Sequence, residues 1–305
     1  MVLDLNDMET YAGFRNSYTY QHPVYLAAED RYFLFWRGVD LKPNYSISED
    51  GGKTWSKGKI FILPERIYKN RRPYLKVSSN GKDVIHFAFT DGHPNVENEN
   101  SIYYMYYQHG NLFKVTGELI QSLGEDPVSP EETSIIYNAH EEGNPKSWIW
   151  DVAGDKKGRP VAAYVKLKND STHIYCYARW NGIDWEDHEL ITSGGYFPED
   201  TPGEVQREKE YSGGISIDHE DPDIVYLAVN RDGMFEIEKW MLDADGTKWE
   251  VIPITHGSSK NNVRPFAVRN AGNDNALQVL WLHISHYRHY TDYASEIKTD
   301  MIRLN

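Results

Sequence analysis

One eight-residue segment, 48–55 (SEDGGKTW), constrains the fold of this chain more than any other. The Ser48 and Asp50 side chains can accept backbone N–H groups inside a tight turn, and Gly adopts backbone angles that other residues avoid. Trp55 supplies a large ring that can pack between neighbouring sheets. These properties predict a structural turn between two strands, with no part in catalysis.

Three later turns repeat part of this pattern, each with a Gly followed by an aromatic residue that opens a strand. They are 110–113 (GNLF), 182–185 (GIDW) and 246–249 (GTKW). The aromatic residues Trp55, Phe113, Trp185 and Trp249 follow one another at intervals of 58, 72 and 64 residues. Repeats of this length, each holding several short strands, predict the blades of a β-propeller.

Strand signals recur along the chain, whereas amphipathic helix signals are almost absent. The clearest strand segments are 32–36, 84–89, 102–107, 161–165, 224–229 and 277–282. The polar segment 201–209 predicts a loop between repeats. Blade starts are recognised at 22–26, 72–77, 148–152, 211–217 and 264–268. We predict an all-β fold, a β-propeller of four-stranded antiparallel blades with about five blades visible, as a single domain over residues 1–305.

Charge and cysteine content exclude several classes of function. The net charge of −14 makes nucleic acid and anionic membranes poor partners, and no apolar run is long enough to span a bilayer. The single cysteine, Cys176, excludes an intrachain disulfide and lies in a strand pattern, which predicts a buried thiol. Residues 1–10 show no signal peptide, and the early entry into strand-like sequence leaves a truncated or processed start open.

Several motifs carry a family resemblance. Residues 48–55 fit every fixed position of the Ser-x-Asp-x-Gly-x-x-Trp Asp box of sialidases and related propellers. More of the chain resembles the bacterial-neuraminidase-repeat propellers among polysaccharide lyases, with rhamnose–glucuronate lyases nearer than ulvan lyases. The motifs are 72–74 (RPY), 85–94 (IHFAFTDGHP), 219–222 (HEDP), 235–240 (FEIEKW) and 262–265 (NVRP).

The resemblance implies further properties. Such propellers usually have about seven blades, so five visible blades leave open either two missing N-terminal blades or a smaller ring. It also implies an extracellular or periplasmic location. We expect a monomer without a cofactor, and a structural calcium or zinc ion stays open.

Residues at the starts of innermost propeller strands converge at one mouth although they are distant in sequence. His22, Arg72, Trp148, Tyr211 and Arg264 hold these positions. Arginine binds a carboxylate through a two-pronged fork, and aromatic rings stack on sugar faces. The set predicts a site for an acidic oligo- or polysaccharide. The structural alternative is that each Arg-Pro pair only bridges to a neighbouring blade.

Histidines offer candidate groups for proton transfer. His93 ends a strand and begins a polar loop, where the resemblance favours catalysis and the alternative is an exposed turn residue. His86 lies inside the strand and is interpreted as structural, and 219–222 predicts a hairpin turn. His283, His286 and His289 are spaced by three, which splits them across the faces of a strand and argues against a metal site. Within this segment Tyr287 and Arg288 are candidate substrate contacts.

The sequence therefore predicts a carbohydrate-active enzyme, most simply a polysaccharide lyase that acts by β-elimination beside a uronic acid. Arg72 and Arg264 would neutralise the carboxylate and His93 would act as base, with Tyr211 or His93 as acid. Two alternatives stay open. Tyr211 beside Glu210 keeps sialidase-like or rhamnosidase-like hydrolysis possible, and the propeller could be a non-catalytic glycan-binding module.

Overall fold

The computed structural model describes residues 17–64, 71–270 and 277–301. The segment 1–10, which the sequence analysis searched for a signal peptide, lies outside this part of the chain. No helix within the described ranges is long and apolar enough to cross a membrane.

Five antiparallel sheets follow one another along the chain. The first contains β1 (Thr19–Leu26), β2 (Arg31–Arg37), β3 (Pro43–Ser48) and β4 (Lys59–Ile60). The second contains β5 (Leu75–Ser79), β6 (Val84–Thr90), β7 (Ile102–Gln108), β8 (Asn111–Phe113), β9 (Leu119–Ser122) and β10 (Ser134–Tyr137). The third contains β11 (Ser147–Gly154), β12 (Pro160–Asn169), β13 (Thr172–Trp180) and β14 (Trp185–Gly194). The fourth contains β15 (Ile215–Ile217), β16 (Ile224–Arg231), β17 (Met234–Leu242) and β18 (Trp249–Pro253). The fifth contains β19 (Asn261–Ala267), β20 (Leu277–His289) and β21 (Asp292–Met301).

These sheets confirm the predicted all-β fold with propeller blades. The six strand segments predicted above lie in β2, β6, β7, β12, β16 and β20. The only helical elements in the described ranges are the short 3₁₀ turns Val39–Leu41 and Pro130–Glu132. Segment 201–209 forms a loop, as predicted.

The chain divides into two compact units. Unit 1 comprises Met1–Gly154 and Trp180–Trp185, and unit 2 comprises Asp155–Arg179 and Glu186–Asn305. Buried aromatic and aliphatic side chains of β2, β6 and β7 form the main core of unit 1. Side chains of β16, β17, β19 and β20 form a core in unit 2. Cys176 is buried in β13, as predicted, and burial raises the pKa of its thiol.

The Asp box is the turn between β3 and β4. Asp50 Oδ1 accepts the backbone N–H groups of Lys53 and Thr54 at 2.9 and 2.8 Å, and Ser48 Oγ accepts that of Gly52 at 2.8 Å. The Trp55 indole N–H donates to the Gly52 carbonyl at 3.2 Å. These bonds satisfy the turn locally, which is the structural role that the sequence predicts.

The other three Gly-aromatic turns lie at the same place, between the third and fourth strands of the second, third and fourth sheets. In the fourth sheet Asp243 Oδ1 accepts the backbone N–H groups of Thr247 and Lys248, as Asp50 does in the first. The turn between β13 and β14 uses Asn181 in a similar way for Ile183. The sequence pattern did not single out these two side chains.

The predicted blade starts need one correction. His22, Trp148 and Arg264 lie inside β1, β11 and β19, whereas Arg72 and Tyr211 precede their strands as expected. Pairing of β1 with β2 shifts between Thr19 and His22, and pairing of β19 with β20 shifts between Val263 and Phe266. A bulge redirects the side chains next to it. His22 and Arg264 therefore lie beside an irregularity inside the strand and not at its first residue.

Candidate functional site

Three rings meet in unit 1 at the end of β6 and the starts of β5 and β11. The centroid of the His93 ring lies 4.8 Å from that of Trp148 and 5.2 Å from that of Tyr74. Tyr74 and Trp148 are 5.5 Å apart in an edge-on arrangement. We call Tyr74, His93 and Trp148 the ring cluster. Aromatic faces and edges of this kind suit the apolar faces of a sugar ring.

His93 is buried, so the interpretation of it as an exposed turn residue is wrong. Its Nδ1 accepts the backbone N–H of Asn95 at 3.1 Å, and its carbonyl accepts the N–H groups of Val96 and Glu97. Burial, reinforced by nearby cations, lowers the pKa of His93 from 6.5 to about 4. The ring is therefore neutral at pH 7, with its proton on Nε2.

Positive charge surrounds the ring cluster. Arg72, Arg37 and Lys146 all lie close enough to lower the pKa of His93. Arg37 Nη1 donates to the Tyr74 hydroxyl at 2.9 Å, and its guanidinium lies over the Tyr74 ring. Within the described ranges Arg37 has no carboxylate partner, so its charge is available to an anion.

Arg72 is the most informative of these cations. Its Nε is buried and has no hydrogen-bond partner within the described ranges, where the side chain also forms no ion pair. A buried N–H donor without an acceptor is costly, and an incoming anion that accepts from it would relieve this cost.

His22 lies in β1, near Lys76 of β5 and Asp151 of β11. Burial, followed by the charge of Lys76, lowers the pKa of His22 to about 4, while Asp151 acts in the opposite direction. His22 is therefore a second neutral imidazole of unit 1. His22, Lys76 and Asp151 lie in the first strands of three successive sheets.

In unit 2 the structure brings Arg264, Tyr211 and Tyr287 together. The Arg264 guanidinium lies 5.0 Å from the ring centroid of Phe197 and 5.2 Å from that of Tyr211. Arg264 has a φ of 57°, a left-handed conformation that is unusual for a residue before proline. Strained backbone that persists in a folded protein often marks a functional position.

Tyr287 lies against Glu208 and Arg264. Burial, followed by the Glu208 carboxylate and their hydrogen bond, raises the pKa of Tyr287. Unit 2 therefore contains a hydrogen-bonded tyrosine–glutamate pair, Tyr287 with Glu208. The sequence pattern suggested Tyr211 beside Glu210 instead. Arg288 differs, because its Nη2 pairs with Glu204 at 3.0 Å and its Nε donates to Thr201. This pairing leaves Arg288 less available to a ligand.

The three histidines of segment 283–289 have side-chain hydrogen-bond partners. His283 Nδ1 bonds with Asn262, His286 contacts Glu199 and Asp292, and His289 bonds with Thr291. Within the described ranges no group of three or more His, Cys, Asp or Glu side chains is arranged to hold a metal ion.

Two smaller predictions concern residues outside these clusters. Residues 219–222 form the turn between the paired strands β15 and β16, as predicted. His86 is buried and forms a hydrogen bond with the Tyr104 hydroxyl.

Arg37 and Lys146 were missed by the sequence analysis. Arg37 ends β2, the second strand of its sheet, and Lys146 immediately precedes β11. Lys146 Nζ donates to the Pro94 carbonyl at 2.5 Å, which connects β11 to the His93 loop. Lys146 could have been noted as the residue two before Trp148, whereas no sequence signal marks Arg37.

This chain resembles known proteins both in sequence, through a family model, and in fold, through solved structures. A family model described as BNR repeat-containing family member matches residues 3–193. No curated protein sequence matches the chain. Among solved structures, an ulvan lyase of family PL25 bound to GlcA(1-4)Rha3S is similar, with a TM-score of 0.66 and 16% identity. The match covers 92% of this chain and 64% of the lyase.

Two further structures show the same fold. A second PL25 ulvan lyase structure has a TM-score of 0.65 at 16% identity, again over 92% of this chain and 64% of the lyase. The Hadza microbial sialidase Hz136 has a TM-score of 0.50 at 12% identity, over 88% of this chain and 53% of the sialidase. The chain thus spans less than two thirds of the length of the lyase structures.

Proposed function

The chain belongs to the BNR repeat-containing family, and from the charge around the ring cluster we propose that it is a polysaccharide lyase. It would cleave beside a uronic acid by β-elimination. The observation that carries this proposal is Arg72, a cation with a buried, unpaired Nε beside a neutral histidine and two aromatic rings. Support for the substrate class comes from the ulvan lyase of similar fold, which was solved with a GlcA-containing ligand.

β-Elimination requires a neutralised carboxylate, removal of the C5 proton and protonation of the leaving oxygen. Arg72 and Arg37 neutralise the carboxylate, which lowers the barrier to forming the carbanion-like transition state. His93 carries its proton on Nε2 because Nδ1 is bonded to Asn95, so it donates a hydrogen bond that stabilises the negative charge on the leaving oxygen. This assignment changes the role of His93 from the base expected from the sequence.

His22 is the proposed proton acceptor. Its ring is neutral at pH 7, because burial lowers its pKa to about 4. Binding of the substrate carboxylate adds negative charge and raises the pKa of a nearby imidazole, which favours acceptance of the C5 proton. The C5 proton passes to His22, and the C5–H electrons form the C4–C5 double bond as the C4–O bond breaks. The leaving oxygen then takes up the proton from the His22 imidazolium, directly or through water, which returns His22 to its neutral form.

A second candidate function is hydrolysis in unit 2. The contact between Tyr287 and Glu208 beside Arg264 favours it, because a carboxylate that accepts a tyrosine proton can activate the phenol oxygen. Tyr211 and Arg264, expected from the sequence to be acid and neutralising cation, would then bind an acidic sugar in this cluster.

The test is incubation with glucuronate-containing polysaccharides. The proposal predicts a rise in ultraviolet absorbance from the unsaturated uronate, and loss of that rise in His22→Gln and His93→Gln. New reducing ends without the rise would identify hydrolysis, which should then depend on Tyr287 and Glu208. Retardation of the protein by the polysaccharide without any cleavage would identify a binding module and contradict both enzymatic candidates.

A further inference from the structure

Asn100 occupies a central place behind the ring cluster. It is fully buried between the His93 loop and β7. Its Oδ1 accepts the backbone N–H of Gly92 at 2.8 Å, and its Nδ2 donates to the Ser147 carbonyl at 2.7 Å. Gly92 directly precedes His93 and Ser147 directly precedes Trp148. One side-chain amide therefore joins the peptide units that carry two of the three rings.

The Asn100 backbone strengthens the same connection. Its carbonyl accepts both the N–H of Ser147 at 2.9 Å and the Ser147 hydroxyl at 2.6 Å. The Gly92 peptide is held from its other side by Thr90, whose hydroxyl donates to the Gly92 carbonyl at 2.7 Å and accepts the Tyr74 N–H at 3.0 Å. Gly92 is therefore connected to all three residues of the ring cluster: it precedes His93 in the chain, Thr90 connects it to Tyr74, and Asn100 connects it to the residue before Trp148.

The geometry at Gly92 leaves little freedom for rearrangement. A Cβ atom at this position would lie 2.7 Å from Glu97 Cγ, so the loop closes tightly over the glycine. A site whose rings are held by backbone contacts loses activity steeply when those contacts shift by even about 1 Å. The Asn100 side chain is suited to this role because it offers one acceptor and one donor in fixed directions.

We propose that Asn100 is a positioning residue that holds His93 against Trp148. Aspartate in its place keeps the acceptor for Gly92 but cannot donate to the Ser147 carbonyl, and it places a negative charge against that oxygen. The two rings then separate while the binding cations Arg72 and Arg37 remain. The kinetic consequence rests on the proposed lyase function, whereas the structural consequence does not.

The test compares Asn100→Asp with the wild-type protein by NMR of the His93 ring and by lyase kinetics. The rings of Tyr74 and Trp148 shift the His93 Cε1 proton, and we expect Asn100→Asp to remove most of this ring-current shift. We expect kcat to fall at least about tenfold with a much smaller change in KM. Asn169→Asp is the matched control, because exposed Asn169 only accepts bonds from Ser171 and should change neither measurement.

A second variant protects the test against misfolding. Asn100→Ser removes both amide contacts without adding a charge, because its hydroxyl is one bond shorter than Oδ1 and Nδ2 of asparagine, so it should show the same loss of shift. Retention of the wild-type shift in both variants would overturn the proposal whatever the activity. Failure of both to fold would also overturn it, because Asn100 would then serve folding alone. A wild-type protein without lyase activity would refute the proposed function, and the ring-current shift would still decide the role of Asn100.

Discussion

The backbone N–H of Asn95 donates to Nδ1 of His93 at 3.1 Å, and this bond determines which nitrogen of the ring faces a ligand with a proton. Because the pKa of His93 is lowered to about 4, the ring keeps this neutral form across the neutral pH range.

The lowered pKa values predict the pH dependence of activity. His22 and His93 both have a pKa of about 4, so both stay neutral until the pH approaches that value. The acid limb of kcat/KM for uronate cleavage should therefore fall near pH 4. A limb near the ordinary histidine pKa of about 6.5 would show that the rings are not buried as described.

The same groups predict a pH dependence of stability. Between about pH 6.5 and 4 the unfolded chain binds protons at His22 and His93 that the folded protein does not, so the free energy of unfolding falls as the pH falls. Each ring contributes at most about 3 kcal/mol. Denaturant unfolding of the double variant His22→Gln/His93→Gln should show a flatter pH dependence, whereas the exposed-site control His256→Gln should keep the wild-type slope.

Substitution of Asp50 in the Asp box should lower the stability of the protein without changing its catalytic turnover. Asp50→Ala removes the acceptor for the Lys53 and Thr54 N–H groups and should lower Tm, whereas Asp50→Asn keeps an acceptor oxygen and should lower it less. The pKa of Asp50 is lowered to about 2, mainly by its bonds to Thr54, so this stabilisation should persist through moderate acid. Turnover per folded molecule should equal that of wild type, and a specific loss of turnover would contradict a purely structural role.

Removal of the Glu236 side chain in unit 2 should lower the free energy of unfolding more than a surface substitution does. This buried carboxylate accepts bonds from the Thr255 hydroxyl, from both the N–H and the hydroxyl of Ser258, and from the Asn262 amide. Glu236→Ala leaves these donors without their acceptor and should cost about 2–4 kcal/mol in denaturant unfolding. The exposed-site variant Glu250→Ala serves as control and should cost much less. Equal costs for the two variants would show that the buried network contributes nothing.

The sequence was sufficient for the fold because the blade pattern is local. The turn at 48–55 and the aromatic residues that follow each Gly turn depend on neighbours in sequence, so short-range rules predict them. Asp243 was overlooked because its turn places the aromatic residue six positions after the aspartate rather than five, although its carboxylate accepts two backbone N–H groups of the turn as that of Asp50 does.

The site was only partly predictable because its contacts join distant segments. Arg72, His93 and Trp148 were recognised from blade starts and strand ends, and they do meet in unit 1. Arg37 could not be recognised, since its role comes from reaching Tyr74, which is 37 positions away. The proton position on His93 depends on a loop bond to Asn95, and Glu208 meets Tyr287 only through folding.

We propose that Arg72 recognises a sugar carboxylate. Calorimetry should compare the affinity for a glucuronate-containing oligosaccharide with that for the same oligosaccharide after its carboxylates are reduced to alcohols. The wild-type protein and the exposed-site control Arg207→Gln should prefer the acidic ligand by at least about tenfold, and Arg72→Gln should bind both ligands about equally. Equal binding of the two ligands by the wild-type protein, or a full preference retained in Arg72→Gln, would contradict the claim.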